Sequence, residues 1–481
     1  MEMNKELNLS REEAIRYRLP LRECLIGDAQ FYRRVAMVVV PMILQNTLSN
    51  VVGLLDNVMV GRVGTLPMSA VAIVNQLMFV FYLCVFGALS GAGIFSTQYF
   101  GKGDHEGVRN VMRIKLVVAM VICAGAILIF LTAGPALIGN YIAKDTDAQT
   151  RAATMQYARQ YLAVMLVGLI PFGFTQVYAS AFRESGNTRL PMISSMIAMS
   201  INFVFNWLLI FGMLGFPKLG VVGAAVATVI SRFVEMLILV VSVHRRADRY
   251  PFIQGLYHPF TIPRELIFPV LTKTLPLFMN EFLWSLGQAT LMQCYSVRGI
   301  DVIAAMNISS TISQIFNEVF ISLGGAAGIL IGQELGANRL VNARRTSWRI
   351  AALGTACTVL LGACLFTVAP LFPRIYNTEA EIRLLASSFI RVVALCMPIH
   401  SFANVAYFTM RSGGKTLVTF IFDSCFAWIV SIPAAFLLSR FTGLPSLSIF
   451  ICVSVLDLLK CVFGFILMRR GVWVKNLVEE V

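Results

Sequence analysis

Charge is what this chain has least of. Asp, Glu, Lys and Arg make up 13% of its 481 residues, where a soluble protein carries about 25%. Fully 57% of the residues are hydrophobic, and the mean hydropathy is +0.76. The composition is that of an integral membrane protein and argues against a soluble enzyme. No C-x-x-C occurs among the 10 cysteines, so neither a disulfide framework nor a zinc site is expected. Histidine is scarce too: of 4 in the chain, His105, His244 and His258 lie in polar segments, and no nucleophile–base pair stands out. A phosphate loop is also missing, because GGKT at 413–416 would need glycine at the position of Thr409. No nucleotide, cofactor or enzymatic activity is expected. The polar, basic first 30 residues do not resemble a cleavable signal.

Twelve apolar stretches are long enough to cross a bilayer, which takes about 20 residues as helix. They fall at 33–60, 68–100, 113–134, 157–182, 189–213 and 221–243, then at 268–297, 302–333, 347–370, 384–410, 416–439 and 446–468. The expected fold is an all-α polytopic membrane protein with 12 transmembrane helices. Its divisions are an N-terminal tail (1–30), a first lobe (31–243), a polar linker (244–267), a second lobe (268–468) and a C-terminal tail (469–481). The net charge of +14 would point to nucleic acid in a soluble protein, but here its distribution carries the information. With the N-terminus inside, 27 of the 39 Lys and Arg face the cytoplasm and 10 the other side. By the positive-inside rule both termini are cytoplasmic, in the cell membrane.

The halves repeat. At an offset of 235, Pro41 pairs with Pro276, Gly64 with Gly299, Gly93 with Gly328, Gln98 with Gln333, Gly101 with Gly336 and Arg109 with Arg344. After a seven-residue shortening the offset becomes 228, and Arg183-Glu-Ser-Gly-Asn-Thr matches Arg411-Ser-Gly-Gly-Lys-Thr. Six spans per half start both halves on the same side, so the repeats are parallel, an arrangement some transporters use with a site between the halves. Gly324, Gly328, Gly332 and Gly336 recur in steps of four, a stripe for close helix packing.

A few polar residues sit inside the apolar spans, where an ionised group costs at least ~2.5 kcal/mol and usually faces a bundle interior or a cavity. Glu281, Trp284 and Gln288 share one face of the seventh span, and Asp56 lies in the first. Asn202 and Asn206 share a face of the fifth. Asp423 and Glu318 are further acids in the second half, and Gln76 is an amide that a water-filled cavity could use. Arg232 with Glu235, and Asp457 with Lys460, are spaced as internal i, i+3 ion pairs without a transport role. The 22 Met and the aromatics near Trp284 suit an adaptable wall for varied ligands.

Together, the 6+6 repeat, LLDNVMVGRVG around Asp56, the Q-x-x-G ends at Gln98 and Gln333, GNTRLP and GGKT, Asn202-x-x-x-Asn206 and GVVGAAVAT ending at Thr228 resemble the multidrug and toxic compound extrusion (MATE) family. The resemblance runs from about residue 31 to 468. It implies a V-shaped pair of six-helix lobes that exports small organic, often cationic compounds in exchange for protons or sodium ions. In one branch it implies an ion site at Asp56, Asn202 and Thr228, with Asn206 standing where that branch has a second Asp. In another it implies a site at Glu281, with His400 where that branch has an Asp. A neutral imidazole is a poor ligand for a hard cation, so a proton is favoured over sodium, with no other metal. The expected protein is a monomeric antiporter working by alternating access. The alternative is a lipid-linked oligosaccharide flippase of the same wider superfamily.

Overall fold

A computed structural model describes residues 10–142 and 147–479. The first nine residues, Lys144 with its neighbours and the last two residues, all covered by the tail and topology expectations, lie outside the described residues. Every regular element among the described residues is helical. Two short helices, α1 (Arg11–Arg16) and α2 (Leu21–Leu25), precede α3 (Ala29–Gly61), α4 (Thr65–Lys102) and α5 (His105–Tyr141). Next come α6 (Ala148–Val167), α7 (Leu169–Glu184), α8 (Arg189–Phe211) and α9 (Val221–His244). The second half runs through α10 (Arg264–Ser296), α11 (Ile300–Gly336), α12 (Leu340–Val368) and α13 (Ala380–Ser412). It ends with α14 (Thr416–Phe420), two π-helical turns, α15 (Ile432–Phe441) and α16 (Ser446–Arg470).

Among the described residues eleven helices are long and apolar enough to cross a membrane, or twelve when α6 and α7, bent by 46° at their break, are counted as one span. The expected twelve are therefore present, but the fourth is broken. The break has a local cause: Pro171 cannot donate to the carbonyl of Val167, and its ring crowds that carbonyl. The chain turns at Gly168, where a Cβ would press within 3.2 Å of the Arg232 side chain.

Two compact units emerge from the packing. One joins the described residues up to Ile43 and Ile94–Asp104 to the chain from Pro269 onward, and the other holds Leu44–Gly93 and His105–Phe268. Their boundaries fall inside α3, α4 and α10, so the units do not coincide with the halves of the sequence.

In the first unit the glycine stripe of α11 does what its spacing predicts. A Cβ at Gly324 or Gly328 would run into Phe408 on α13, and one at Gly332 into Thr97 on α4. The Q-x-x-G segments meet reciprocally: a Cβ at Gly336 would overlap the carbonyl of Gln98, and one at Gly101 the carbonyl of Gln333. That is the contact two repeats make about a local two-fold axis.

The ends of the chain are less tail-like than their composition suggests. Trp473 and Val474 are fully buried, and Gln98 ties this segment down by donating to the carbonyls of Ser412 and Lys475 and accepting from the Leu477 amide. Helix α1, opened by a Ser10–Glu13 capping box, docks on α12 as Arg344 donates to the carbonyls of Ala14 and Tyr17. The repeat partner of Arg344, Arg109, donates in the second unit to the carbonyl of Pro251 in the linker. Equivalent arginines thus hold the polar segments that precede the first and seventh spans.

Candidate functional site

The second unit gathers four of the predicted residues. Helices α8 and α9 approach closely because Gly223 leaves no side chain against the carbonyl of Leu209 (a Cβ would sit 2.6 Å away). One turn and a half further along α9, Thr228 comes to face Asn202. The Asn202 amide donates to Thr228 Oγ1 at 3.2 Å, and Asn206 donates to Asn202 Oδ1 at 3.1 Å and to Asp56 Oδ1 at 2.6 Å. Turned over, the Asn202 amide would aim its nitrogen at both Asp56 oxygens, 3.1 and 3.2 Å away. Asn202 and Asn206 are buried, at 5% and 1% exposure. Asn206 Oδ1 is buried and accepts no hydrogen bond. A carboxylate, two amides and a hydroxyl meet here, with the Asn206 nitrogen turned to the carboxylate. Such a set can take a proton on Asp56.

Nearby in the same unit, Arg232 donates to the Tyr82 hydroxyl and lies over two rings, 5.0 Å from Tyr82 and 4.8 Å from Phe172. Its Nη1 is buried without a hydrogen-bond partner. Tyr161, which feels both Asp56 and Arg232 electrostatically, donates to Asn75 at 3.4 Å.

The first unit builds a longer network across four helices. On α13, His400 Nε2 is 3.1 Å from Asp457 Oδ2 on α16. Lys460, one turn beyond Asp457, reaches Asp457 Oδ1 at 3.6 Å and Asp423 Oδ1 at 3.4 Å. Asp423 accepts from the Asn280 amide of α10 at 3.2 Å, and that amide is 3.3 Å from the Tyr407 hydroxyl. Asn280 Oδ1 accepts from the Ser424 hydroxyl at 2.7 Å and from the Ser424 backbone amide at 3.3 Å.

That last contact diverts a backbone donor from the ordinary α-helical ladder. The surrounding backbone winds as π-helix over Ile421–Cys425 and Ala427–Ser431, a form that recurs at functional sites. Trp428 braces the same wall by donating to the Leu283 carbonyl at 3.0 Å. Glu281, next to Asn280, has Arg411 and Asp423 as its charged neighbours.

The family model MatE matches residues 41–208 and again 276–437. The chain belongs to the MatE family. The two matched segments coincide with the internal repeat, and the family's members are membrane transporters, not enzymes. The chain is 26% identical over 434 residues to the probable multidrug resistance protein YoeA of Bacillus subtilis, covering 87% of this chain and 89% of that one. It is 24% identical over 442 residues to the probable multidrug resistance protein NorM of Thermotoga maritima, covering 91% and 92%. A solved outward-facing multidrug resistance MATE family transporter of the MOP superfamily has the same fold, with a TM-score of 0.81 at 17% identity over 98% of this chain and 99% of that one.

Within this MatE protein, Asp56, Asn202, Asn206 and Thr228 come together as one hydrogen-bonded set. Glu281 and Asp423 lie in one neighbourhood, but His400 does not bond Glu281, the acid it was paired with in the sequence; its partner is Asp457. Trp284 and Glu318 are half-buried, while Gln288 and Gln76 are exposed to the surroundings of the chain. The Asp457–Lys460 pair forms as expected. Arg232, in contrast, spends its contacts on Tyr82 and Phe172, and Glu235 takes a hydrogen bond from Ser195. Sequence reasoning missed Asn280 and Tyr407 as connectors, and gave Asp457 and Lys460 only as an ion pair. The one available signal was the i, i+3 spacing of Asp457 and Lys460; nothing in the linear pattern joins Asn280 to Ser424.

Proposed function

We propose that the protein is an antiporter that exports small organic compounds, often cationic, in exchange for protons by alternating access in the cell membrane. The observation that carries this reading is the constellation around Asp56: one carboxylate near the end of the apolar helix α3, held by Asn206 at 2.6 Å with Asn202 and Thr228 behind it. Protonating Asp56 cancels the local negative charge, so a cationic substrate and a proton compete for one group. Competition for a shared charge is what links two opposed fluxes. The names carried by similar proteins, multidrug resistance proteins in two bacteria, agree with the substrate class. The excess of Lys and Arg in alternate loops, 27 against 10, supports cytoplasmic termini, and we take the working unit to be the monomer.

A test uses purified protein alone in liposomes, with a fluorescent lipophilic cation and an imposed pH gradient in sodium-free buffer. Gradient-driven dye movement is expected. If dye moved only with a sodium gradient, or not at all, proton coupling would be refuted.

One observation favours a second reading, the lipid-linked oligosaccharide flippase. Arg232 is surrounded by aromatic rings and has a buried nitrogen without a partner, a cation that an anionic phosphate group could satisfy. Movement of a labelled lipid-linked sugar, in place of the dye, would decide for it.

A further inference from the structure

The network of the first unit contains a cation of its own, placed between two carboxylates. Lys460 Nζ lies 3.4 Å from Asp423 Oδ1 and 3.6 Å from Asp457 Oδ1. The ammonium bridges both carboxylates and donates a hydrogen bond to Asp423. The Asn280 amide nitrogen donates to Asp423 at 3.2 Å and to the Tyr407 hydroxyl at 3.3 Å, while its oxygen is taken by Ser424. Two carboxylates about one point attract a hard monovalent cation, and here the lysine occupies the place.

The internal repeat shows that the position is built into the fold and its neutralisation is not. At the offset of 228, Lys460 corresponds to Arg232, and His400 corresponds to Phe172. In the second unit the cation at this position is wrapped by rings, Tyr82 and Phe172. In the first unit it is wrapped by acids, with the Phe426 ring 5.2 Å from Nζ.

We infer that Lys460 is the resident cation of this half and excludes sodium from it, leaving Asp423 and the Asp457–His400 pair to exchange protons only. The inference rests on the reading that an ion gradient drives transport, and it assigns the residue that sets which ion this half accepts. The charged and titratable groups facing the site are Glu281 and Tyr295 on α10, Cys396, His400, Tyr407 and Arg411 on α13, Asp423 on the π-helical stretch, and Asp457, Lys460 and Cys461 on α16. Arg411 is the charged neighbour of Glu281, which leaves Lys460 as the cation placed between Asp423 and Asp457. Removing the ammonium while keeping the chain length frees both carboxylates for a mobile ion.

The test is sodium binding to the purified full-length protein, titrated against choline at constant ionic strength. It is read by the melting temperature and by tryptophan fluorescence, to which Trp428, its indole fixed to the Leu283 carbonyl, contributes beside the site. All variants carry Asp56→Asn, so that the constellation of the second unit contributes nothing. The Asp56→Asn protein and its Lys460→Arg derivative are expected to show no saturable response. Lys460→Met is expected to gain one, and to lose it again when Asp423→Asn is added. The inference is overturned if the Asp56→Asn protein already binds sodium, if Lys460→Met gains nothing, or if the gain survives Asp423→Asn. Should Lys460→Met and Lys460→Gln both aggregate, the readout becomes rescue: recovery of monodisperse protein by sodium but not by choline supports the inference, and no recovery refutes it. Failure of proton-driven transport by the wild type in liposomes would strike the reading above and leave this binding result standing.

Discussion

Replacing Asp56 by Asn is the most informative single perturbation of this transporter, because it changes charge with almost no change of shape. Two stability terms oppose each other. The variant loses a hydrogen bond from Asn206 to a charged acceptor at 2.6 Å, worth about 1.5–3 kcal/mol. It also relieves the cost of holding an ionised aspartate in a membrane helix, about 2.5–3.5 kcal/mol on insertion scales. The terms are of one size, so the net change is about 1 kcal/mol or less, and the purified variant should melt within a few degrees of the wild type.

Transport responds differently. Asp56 is the only titratable member among Asp56, Asn202, Asn206 and Thr228, so the amide cannot carry a proton. The driven component of dye export is expected to fall by ~100-fold, the factor that ~2.7 kcal/mol of lost differential binding gives. The assay is gradient-driven dye movement in liposomes, alongside a thermal melt. A variant that melts normally and still exports at the wild-type rate, with the wild-type dependence on the pH gradient, would refute the role of Asp56.

Two further outcomes follow from the geometry. Gly336→Ala puts a Cβ onto the backbone carbonyl of Gln98, which cannot swing away as a flexible side chain would; overpacking of this kind costs about 1–3 kcal/mol, and a lowered melting temperature is expected, with Gly125→Ala, in open space, as the neutral control. Outside the membrane segments, the Asp147 carboxyl caps α6 by accepting from the Thr150 amide at 2.8 Å, and this holds its pKa below the ordinary aspartate value. A depressed folded-state pKa gives stability that is present above the unfolded-state pKa and is lost as pH falls through the folded one. Protection of the first-turn amides of α6, measured as exchange relative to the unfolded chain at the same pH, should therefore fall in acid in the wild type, and be low already at neutral pH in Asp147→Ala. Exchange indifferent to both changes would count against the cap.

Much of the architecture could be read from the chain because it depends on local quantities. Hydropathy over a window decides whether a helix can live in hydrocarbon, and an internal repeat is visible as identity at a fixed offset; both need no knowledge of folding. The glycine stripe of α11 was legible for the same reason, since spacing by four is a helix-face property. Pro171 carried the signal for the break in the fourth span, although the apolar run through it concealed the bend.

Site residues were legible only in part. Asp56, Asn202, Asn206 and Thr228 were named together through resemblance to a family, and it took the close approach of α8 and α9 at Gly223 to put them within hydrogen-bonding distance. His400 and Glu281 were paired in the sequence by the same resemblance, and there the three-dimensional neighbours differ: His400 turns to Asp457.

What the sequence by itself determined, then, is the solvent this protein lives in, the number of its helices and the repetition of its halves, because those follow from composition and periodicity along one dimension. What only the tertiary structure decided is which buried charges neutralise which. Lys460 is one helical turn from Asp457, yet its second partner, Asp423, is 37 residues away on another helix, and Asn280, which anchors Asp423, is 143 residues away. Arg232 has an acid three residues along its own helix and still stacks on rings brought from α4 and α7. Coulomb and hydrogen-bond energies depend on separation in space and on the polarity of what lies between, and neither quantity exists until helices from distant parts of the chain have packed.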